Sequence, residues 1–136
     1  MKRSVPALGQ DAAPDVPVEP GAADGVLDEG ALLTTVGGNR RLATELAEIF
    51  LRELESRMPE MAKAVVARDN TRIQFLAHTL MGSAASLSAT QVTGTAKKLE
   101  SMALTGKLAK IDAVFARLEH EIARLGARLT TFIREG

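Results

Sequence analysis

Few residues in this sequence could carry chemistry by themselves, and the histidine in the stretch AHTLMGSAASLSA at 77–89 stands out among them. The chain has no cysteine, and its two histidines, His78 and His120, lie far apart. This composition excludes disulfides, thiolate catalysis and cysteine-ligated metals, and it argues against a zinc site. Hydrolysis by His78 would need an orienting acid and an oxyanion hole, and the sequence indicates neither. Neutral imidazole is a nucleophile, so His78 could instead carry a group that a partner delivers and removes.

The position of His78 on its helix predicts that the imidazole faces solvent. Successive residues of an α-helix turn by about 100°. The apolar residues of this segment share one side of the helix: Ile73, Leu76, Ala77, Leu80, Ala84 and Leu87. His78 falls about 140° from Ile73, on the opposite side. An incidental surface histidine is the alternative interpretation.

The neighbours of His78 favour a docking surface. Gly82 follows His78 by one turn and has no side chain, so a bulky partner could approach the ring closely. Phe75 lies about 200° from Ile73, where an aromatic ring is expected to be exposed to water. An exposed aromatic beside a sterically open histidine predicts a site at which another protein binds.

Helices must position this segment, because the apolar spacing follows the helical period from Asp28 onward. Three polar residues are predicted N-caps, namely Asp28, Asn39 and Asp69. The predicted helices lie at 29–36, from 40 onward, at about 70–87, at about 89–104 and along the last part of the chain. Gly106 suits the left-handed position after the fourth of these helices. Pro59 is expected to bend the second helix.

Two apolar stripes predict how the longest helices pack. The inner side of the second helix is predicted to contain Leu42, Leu46, Ile49, Phe50 and Leu54. The stripe of the last helix is predicted to contain Leu108, Ile111, Phe115, Leu118, Ile122, Leu125, Leu129 and Phe132. Such a stripe is typical of a helix packed lengthwise in a bundle, and short loops favour antiparallel neighbours. We therefore predict an all-α fold, an antiparallel four-helix bundle with a short extra N-terminal helix.

Residues 1–26 differ in composition from the rest of the chain. Four of the five prolines lie there, among alanines, glycines and aspartates, and such a segment lacks the apolar side chains that would offset the entropy of ordering it. We predict a flexible tether at 1–26, with a cloning remnant as the alternative, and a bundle domain at 27–136.

Charge and hydropathy indicate where the protein acts. The 17 basic and 17 acidic residues balance, so no global field attracts nucleic acid or an anionic membrane. No apolar run approaches the roughly 20 residues that span a bilayer. We expect a cytoplasmic protein without membrane insertion.

The stretch at 77–89 resembles the motif of the histidine-containing phosphotransfer (HPt) domains of two-component phosphorelays. The family pattern is AHxLKGSAAxLGA in mid-helix, followed by a helix that contains LE. Here the letters are AHTLMGSAASLSA, and KKLE follows at 97–100. The upstream segment LDEGALLTTVGGNRRLATELAEIFL is also similar to the beginning of these domains. The resemblance covers about residues 27–133 and implies the same four-helix bundle.

The resemblance implies that His78 accepts a phosphoryl group on Nε2 and exchanges it with an aspartate of a response-regulator receiver domain. It implies a phosphocarrier without autonomous catalysis and without a cofactor of its own, because the receiver supplies Mg²⁺, a lysine and an acidic pocket. A sensor histidine kinase is a further candidate partner. The chain could be free-standing or the C-terminal module of a hybrid kinase.

The resemblance also suggests roles for residues around the histidine. Gln74 is a candidate to orient the ring or to bond a phosphate oxygen, and a solvated glutamine is the alternative. The docking patch is expected to include Thr71, Phe75 and Ala85. Leu51, from the preceding helix, belongs either to this patch or to the core.

Two residues depart from the family pattern. Met81 replaces the usual lysine three residues after the histidine. Loss of that cation is expected to destabilise the phosphorylated form or to slow transfer, by about 1 kcal/mol. Methionine could instead enlarge an apolar contact. Ser88 replaces the usual glycine after the helix.

Other interpretations stay open. Lys97 and Lys98 are either solvated or in contact with phosphate. The departure at Met81 allows a phosphotransfer-impaired adaptor that binds receivers or kinases without carrying phosphate. A helical oligomerisation module would bury the face around Phe75 in a dimer.

Overall fold

The computed structural model describes residues 24–135, and this part of the chain forms five helices and no strand. The helices are α1 (Glu29–Thr35), α2 (Arg40–Ala67), α3 (Asn70–Ser86), α4 (Thr90–Thr105) and α5 (Ile111–Glu135). Helix α2 packs against α3 and α5, and α4 packs against the same two helices, so the four long helices close into a bundle. The short α1 precedes them and contacts α2. The predicted all-α four-helix bundle with an extra N-terminal helix is confirmed.

The predicted N-caps hold their helices by side-chain hydrogen bonds. Asp28, Asn39 and Asp69 each accept a hydrogen bond from a backbone N–H in the first turn of α1, α2 and α3. Gly106 follows α4 with a φ of 73°, as the left-handed position after a helix requires. Pro59 lies inside α2, which continues on both sides of it.

The turn between α3 and α4 has Ser88 at the position where the resemblance implies a glycine. Ser88 adopts the left-handed conformation with a φ of 61°, which is costly for a residue with a Cβ. Its carbonyl accepts a hydrogen bond of 3.1 Å from the backbone N–H of Asp28. The segment before α1 thus braces the turn between α3 and α4.

The apolar stripe of α5 is confirmed in most of its length. Its buried members are Ile111, Phe115, Leu118, Leu125, Leu129 and Phe132. Leu108, just before the helix, and Ile122 are half-buried instead. Glu121 takes the buried position beside Ile122. Its carboxylate accepts a hydrogen bond of 3.0 Å from Arg117.

The inner side of α2 differs from the prediction. Leu42 and Ile49 are 40% and 41% exposed, whereas Ala43 and Ala47 are fully buried. Phe50 and Leu54 of the predicted stripe are buried beside these alanines, and Leu46 is half-buried, so the prediction is wrong only at Leu42 and Ile49. Small alanines let neighbouring helices approach closely, so they occupy the places of closest contact while the larger Leu42 and Ile49 are partly exposed.

The predicted tether falls largely outside the described residues, since residues 1–23 are not among them. Its last three residues are packed on the bundle. Val26 is buried, the Gly25 carbonyl accepts a 2.8 Å hydrogen bond from the Gln91 N–H, and Arg128 donates to Asp24 at 2.9 Å.

At the other end of the bundle, Arg68 pairs with Asp112 across the α2 and α5 helices. Arg68 donates to both carboxylate oxygens, at 3.0 and 2.7 Å. This hydrogen bonding lowers the pKa of Asp112 and raises that of Arg68.

Across residues 24–135, no helix combines the length and the apolar character that a membrane crossing requires.

Candidate functional site

His78 projects outward from the middle of α3, as its helical position predicts. Its side chain is 65% exposed. The opposite side of α3 is packed into the core by Ile73, Leu76, Ala77, Leu80 and Ala84, none of which is more than 5% exposed. Burial of this apolar side fixes the rotation of the helix and therefore the direction of the imidazole.

A carboxylate from the neighbouring helix holds the ring. Nδ1 of His78 lies 2.8 Å from Oε2 of Glu100 on α4. The Glu100 side chain is only 21% exposed, so its carboxylate is partly shielded from water. The preceding residue, Leu99, is fully buried. Glu100 is rotated by about 100° around α4 from Leu99, and this rotation places its side chain on the side that faces α3.

This hydrogen bond decides which ring nitrogen is available. A carboxylate accepts hydrogen bonds, so the proton of the neutral ring lies on Nδ1. Nε2 then bears the lone pair, and it is on the side of the ring away from Glu100. The site consequently presents an oriented nucleophilic nitrogen to the solvent, in the same way that a hydrogen bond to one nitrogen sets the role of the other in enzymes and metal sites.

An open cleft of about 410 Å³ borders the ring, lined by Thr71, Gln74, Phe75, His78 and Glu100. Phe75 is 62% exposed. Thr71 and Phe75 therefore lie beside the histidine as expected. Gln74 shares the cleft, but the hydrogen bond that orients the ring comes from Glu100.

The side of the ring toward the end of α3 is open. A Cβ on Gly82 would meet nothing within 4 Å, and Ala85 is exposed one turn further along. Met81 is half-buried and packs against the core, so only part of its side chain is accessible.

Leu51 lies on a different side of the bundle from the cleft. Its Cδ2 is 3.9 Å from the place where a Cβ on Gly126 of α5 would be, and the half-buried side chain packs against the core. Of the two interpretations of Leu51, the structure supports core packing.

Sequence reasoning missed Glu100, although the KKLE segment was recognised. A carboxylate next to a buried leucine, in the helix that follows the histidine helix, was the available signal. Leu104, one turn after Glu100 on the same side of α4, is 66% exposed. No group of three or more metal-ligating side chains occurs within the described range.

Comparison with known proteins assigns a family to this geometry. The family model for the Hpt domain matches residues 45–128, and no curated protein matches the chain. One similar solved structure is histidine-containing phosphotransfer protein B (HptB) from Pseudomonas aeruginosa PAO1, with 22% identity, a TM-score of 0.76 and coverage of 82% of this chain and 96% of that one.

Another is the HPT domain from the Hpt sensor hybrid histidine kinase from Shewanella, with 15% identity, a TM-score of 0.75 and coverage of 82% and 97%. These two structures share the fold of this chain. The family match covers more than half of the sequence. The chain therefore belongs to the Hpt domain family, and its function is phosphotransfer in a phosphorelay.

Proposed function

We propose that His78 is the phosphoacceptor and that its Nε2 exchanges a phosphoryl group with the aspartate of a response-regulator receiver domain. The observation that carries this proposal is the 2.8 Å hydrogen bond between Nδ1 and Glu100 on a ring that is 65% exposed. It leaves one nucleophilic nitrogen directed at a partner.

The transfer is a displacement at phosphorus. The Nε2 lone pair forms the N–P bond while the bond between phosphorus and the aspartyl oxygen breaks, and that oxygen keeps the electron pair as a carboxylate. The proton on Nδ1 stays, so the phosphorylated ring becomes cationic. The Glu100 carboxylate stabilises that charge, because the Nδ1–H donor of the hydrogen bond then belongs to a cation and its acceptor to an anion. The reverse reaction returns the phosphoryl group to an aspartate by the same steps.

The receiver supplies the rest of the active site in this proposal. Mg²⁺, held by an acidic pocket of the receiver, and a receiver lysine would balance the charge on the transferred group. The chain itself contributes an oriented nucleophile on a convex helix surface, so it acts as a phosphocarrier without autonomous catalysis.

The docking face surrounds His78. Phe75 on α3 and Leu104 on α4 offer apolar contacts that are 62% and 66% exposed. The open surface at Gly82 lets a partner approach the ring. Thr71 and Ala85 extend the same side of α3.

Two settings for this carrier stay proposals. The similar Shewanella domain comes, by its name, from a sensor hybrid histidine kinase, and the same arrangement is one candidate here beside a free-standing carrier. A sensor kinase is then a further partner, and the cytoplasm is the expected location.

Transfer of radiolabelled phosphate from a phosphorylated receiver, with Mg²⁺, tests the proposal. We expect the wild-type chain to acquire a label that acid removes and alkali does not. The His78→Gln variant should stay unlabelled, whereas His120→Gln, which changes an exposed histidine on α5, should label normally. Equal labelling of His78→Gln would refute the site. Receiver binding without any label would instead support the adaptor.

A further inference from the structure

Phosphorylation creates an excess of negative charge at the site. The phosphoryl group adds about two negative charges, and the cationic ring offsets only one of them. The Glu100 carboxylate adds a further negative charge, 2.8 Å from Nδ1. One turn after His78, where the resemblance places a lysine, α3 has Met81. Its half-buried thioether packs against the core and provides no cation.

The contact between His78 and Glu100 fixes the register of α3 against α4. The two helices are joined by the short turn at 87–89, so they run antiparallel. Moving from Glu100 toward the start of α4 therefore follows α3 from His78 toward its end. Lys97 precedes Glu100 by three residues and lies on the same side of α4. This register places Lys97 level with Met81.

The surroundings of Lys97 leave it free to move toward the ring. It is exposed, and no ion pair joins it to another of residues 24–135. Its four-carbon side chain borders a cleft on the outer side of α4 that is lined also by Gly94, Lys98 and Ser101. Gly82, next to Met81 on α3, has no side chain to obstruct a movement of the lysine toward the histidine.

We propose that Lys97 binds the phosphoryl group on His78. It would supply, from the neighbouring helix, the positive charge that α3 lacks because Met81 stands in place of a lysine. A lysine ammonium suits this role because it is a compact charge with three rotatable donors. The inference rests on the proposed phosphorylation of His78. It predicts that the phosphorylated chain is stabilised by a residue outside the histidine motif.

The adjacent lysine is a matched control. Lys98 has the same side chain and is also exposed, but it is turned by about 100° around α4 from Lys97, away from the α3 side. Lys97→Gln and Lys98→Gln thus make the same change in net charge. Because both residues lie on the surface, both variants should have the melting temperature of the wild type.

The equilibrium ratio of label on this chain to label on the receiver measures the interaction. This ratio does not depend on how fast the two proteins associate. We expect Lys97→Gln to lower it about two- to fivefold, the range of an exposed ion pair, with the difference lost in 1 M salt. Lys98→Gln should leave it unchanged, and adding Met81→Lys to Lys97→Gln should restore it.

The proposal is overturned if Lys97→Gln keeps the wild-type ratio, or if Lys98→Gln lowers the ratio as much. Failure of the proposed function gives a different result, because the wild-type chain would then carry no label on His78.

Discussion

The two sides of α3 differ in what they contribute to the protein. The inner side consists of apolar residues that are at most 5% exposed, and it joins α3 to the rest of the bundle. The outer side contains the imidazole of His78, which is 65% exposed, and the phenyl ring of Phe75, which is 62% exposed. It also contains Gly82, where an added Cβ would meet nothing within 4 Å. Stability and the proposed chemistry thus lie on opposite sides of one helix, and burial of the packed side sets the direction of the outer one.

The largest expected effect concerns the packed side. Leu80 is 2% exposed, so Leu80→Ala should lower the free energy of unfolding by about 2–5 kcal/mol through lost burial and a cavity. His78→Gln should change it by no more than about 0.5 kcal/mol. Urea unfolding monitored by circular dichroism checks both values.

Leu104→Ala is the control for this prediction, because it makes the same substitution at a 66% exposed leucine. If Leu104→Ala lowers the free energy of unfolding as much as Leu80→Ala, or if His78→Gln lowers it strongly, the proposed difference between the two sides of α3 is wrong.

The next effect concerns the hydrogen bond that links the outer side of α3 to α4. Glu100→Ala should slow phosphotransfer about tenfold, which is about 1.4 kcal/mol, because the ring loses both its orientation and the carboxylate that stabilises the phosphorylated form. Glu100→Gln keeps an acceptor for the Nδ1–H but loses the charge, so its rate should lie between those of Glu100→Ala and the wild type.

A spectroscopic measurement separates positioning from a general structural effect. In Glu100→Ala, the nitrogen shifts of His78 should show that the tautomer with its proton on Nε2 gains population, whereas the melting temperature should change little. An unchanged tautomer would mean that Glu100 does not orient the ring.

The smallest effect has opposite signs for stability and transfer. Gly82→Ala should raise the free energy of unfolding by about 0.5–1 kcal/mol, since alanine suits a helix interior better than glycine and its methyl group meets nothing within 4 Å. The same methyl group stands where a receiver would approach His78, so the transfer rate should fall.

Gly94→Ala provides the matched control. Gly94 is also exposed inside a helix, with nothing within 4 Å of a Cβ, but it lies on the outer side of α4. Its substitution should raise stability without slowing transfer. If Gly82→Ala transfers as fast as Gly94→Ala, the open surface at Gly82 has no role in docking.

The helices could be predicted well because their signals are local. The N-cap Asp69, the period of apolar residues and Gly106 placed the ends of α3 and α4 within one residue of those observed. The long stripe of α5 was also correct in most positions. The packed side of α2 was wrong at Leu42 and Ile49, because contact with two neighbouring helices, rather than side-chain size, decides which residues are buried.

The site was predictable only in part for the same reason. The outward direction of His78 follows from one helix alone. Its hydrogen bond to Glu100 depends on the register between α3 and α4, and the spacing of residues within one helix does not determine that register. Leu51 was ambiguous because a sequence does not show which of two neighbours, α3 or α5, a residue of α2 faces.

The most direct test of the account identifies the phosphorylated nitrogen. Long-range ¹H–¹⁵N correlation spectra of the phosphorylated, ¹⁵N-labelled protein distinguish the two nitrogens of His78. We predict phosphorus on Nε2 and the proton retained on Nδ1. Phosphorus on Nδ1, the atom that Glu100 holds at 2.8 Å, would contradict the account.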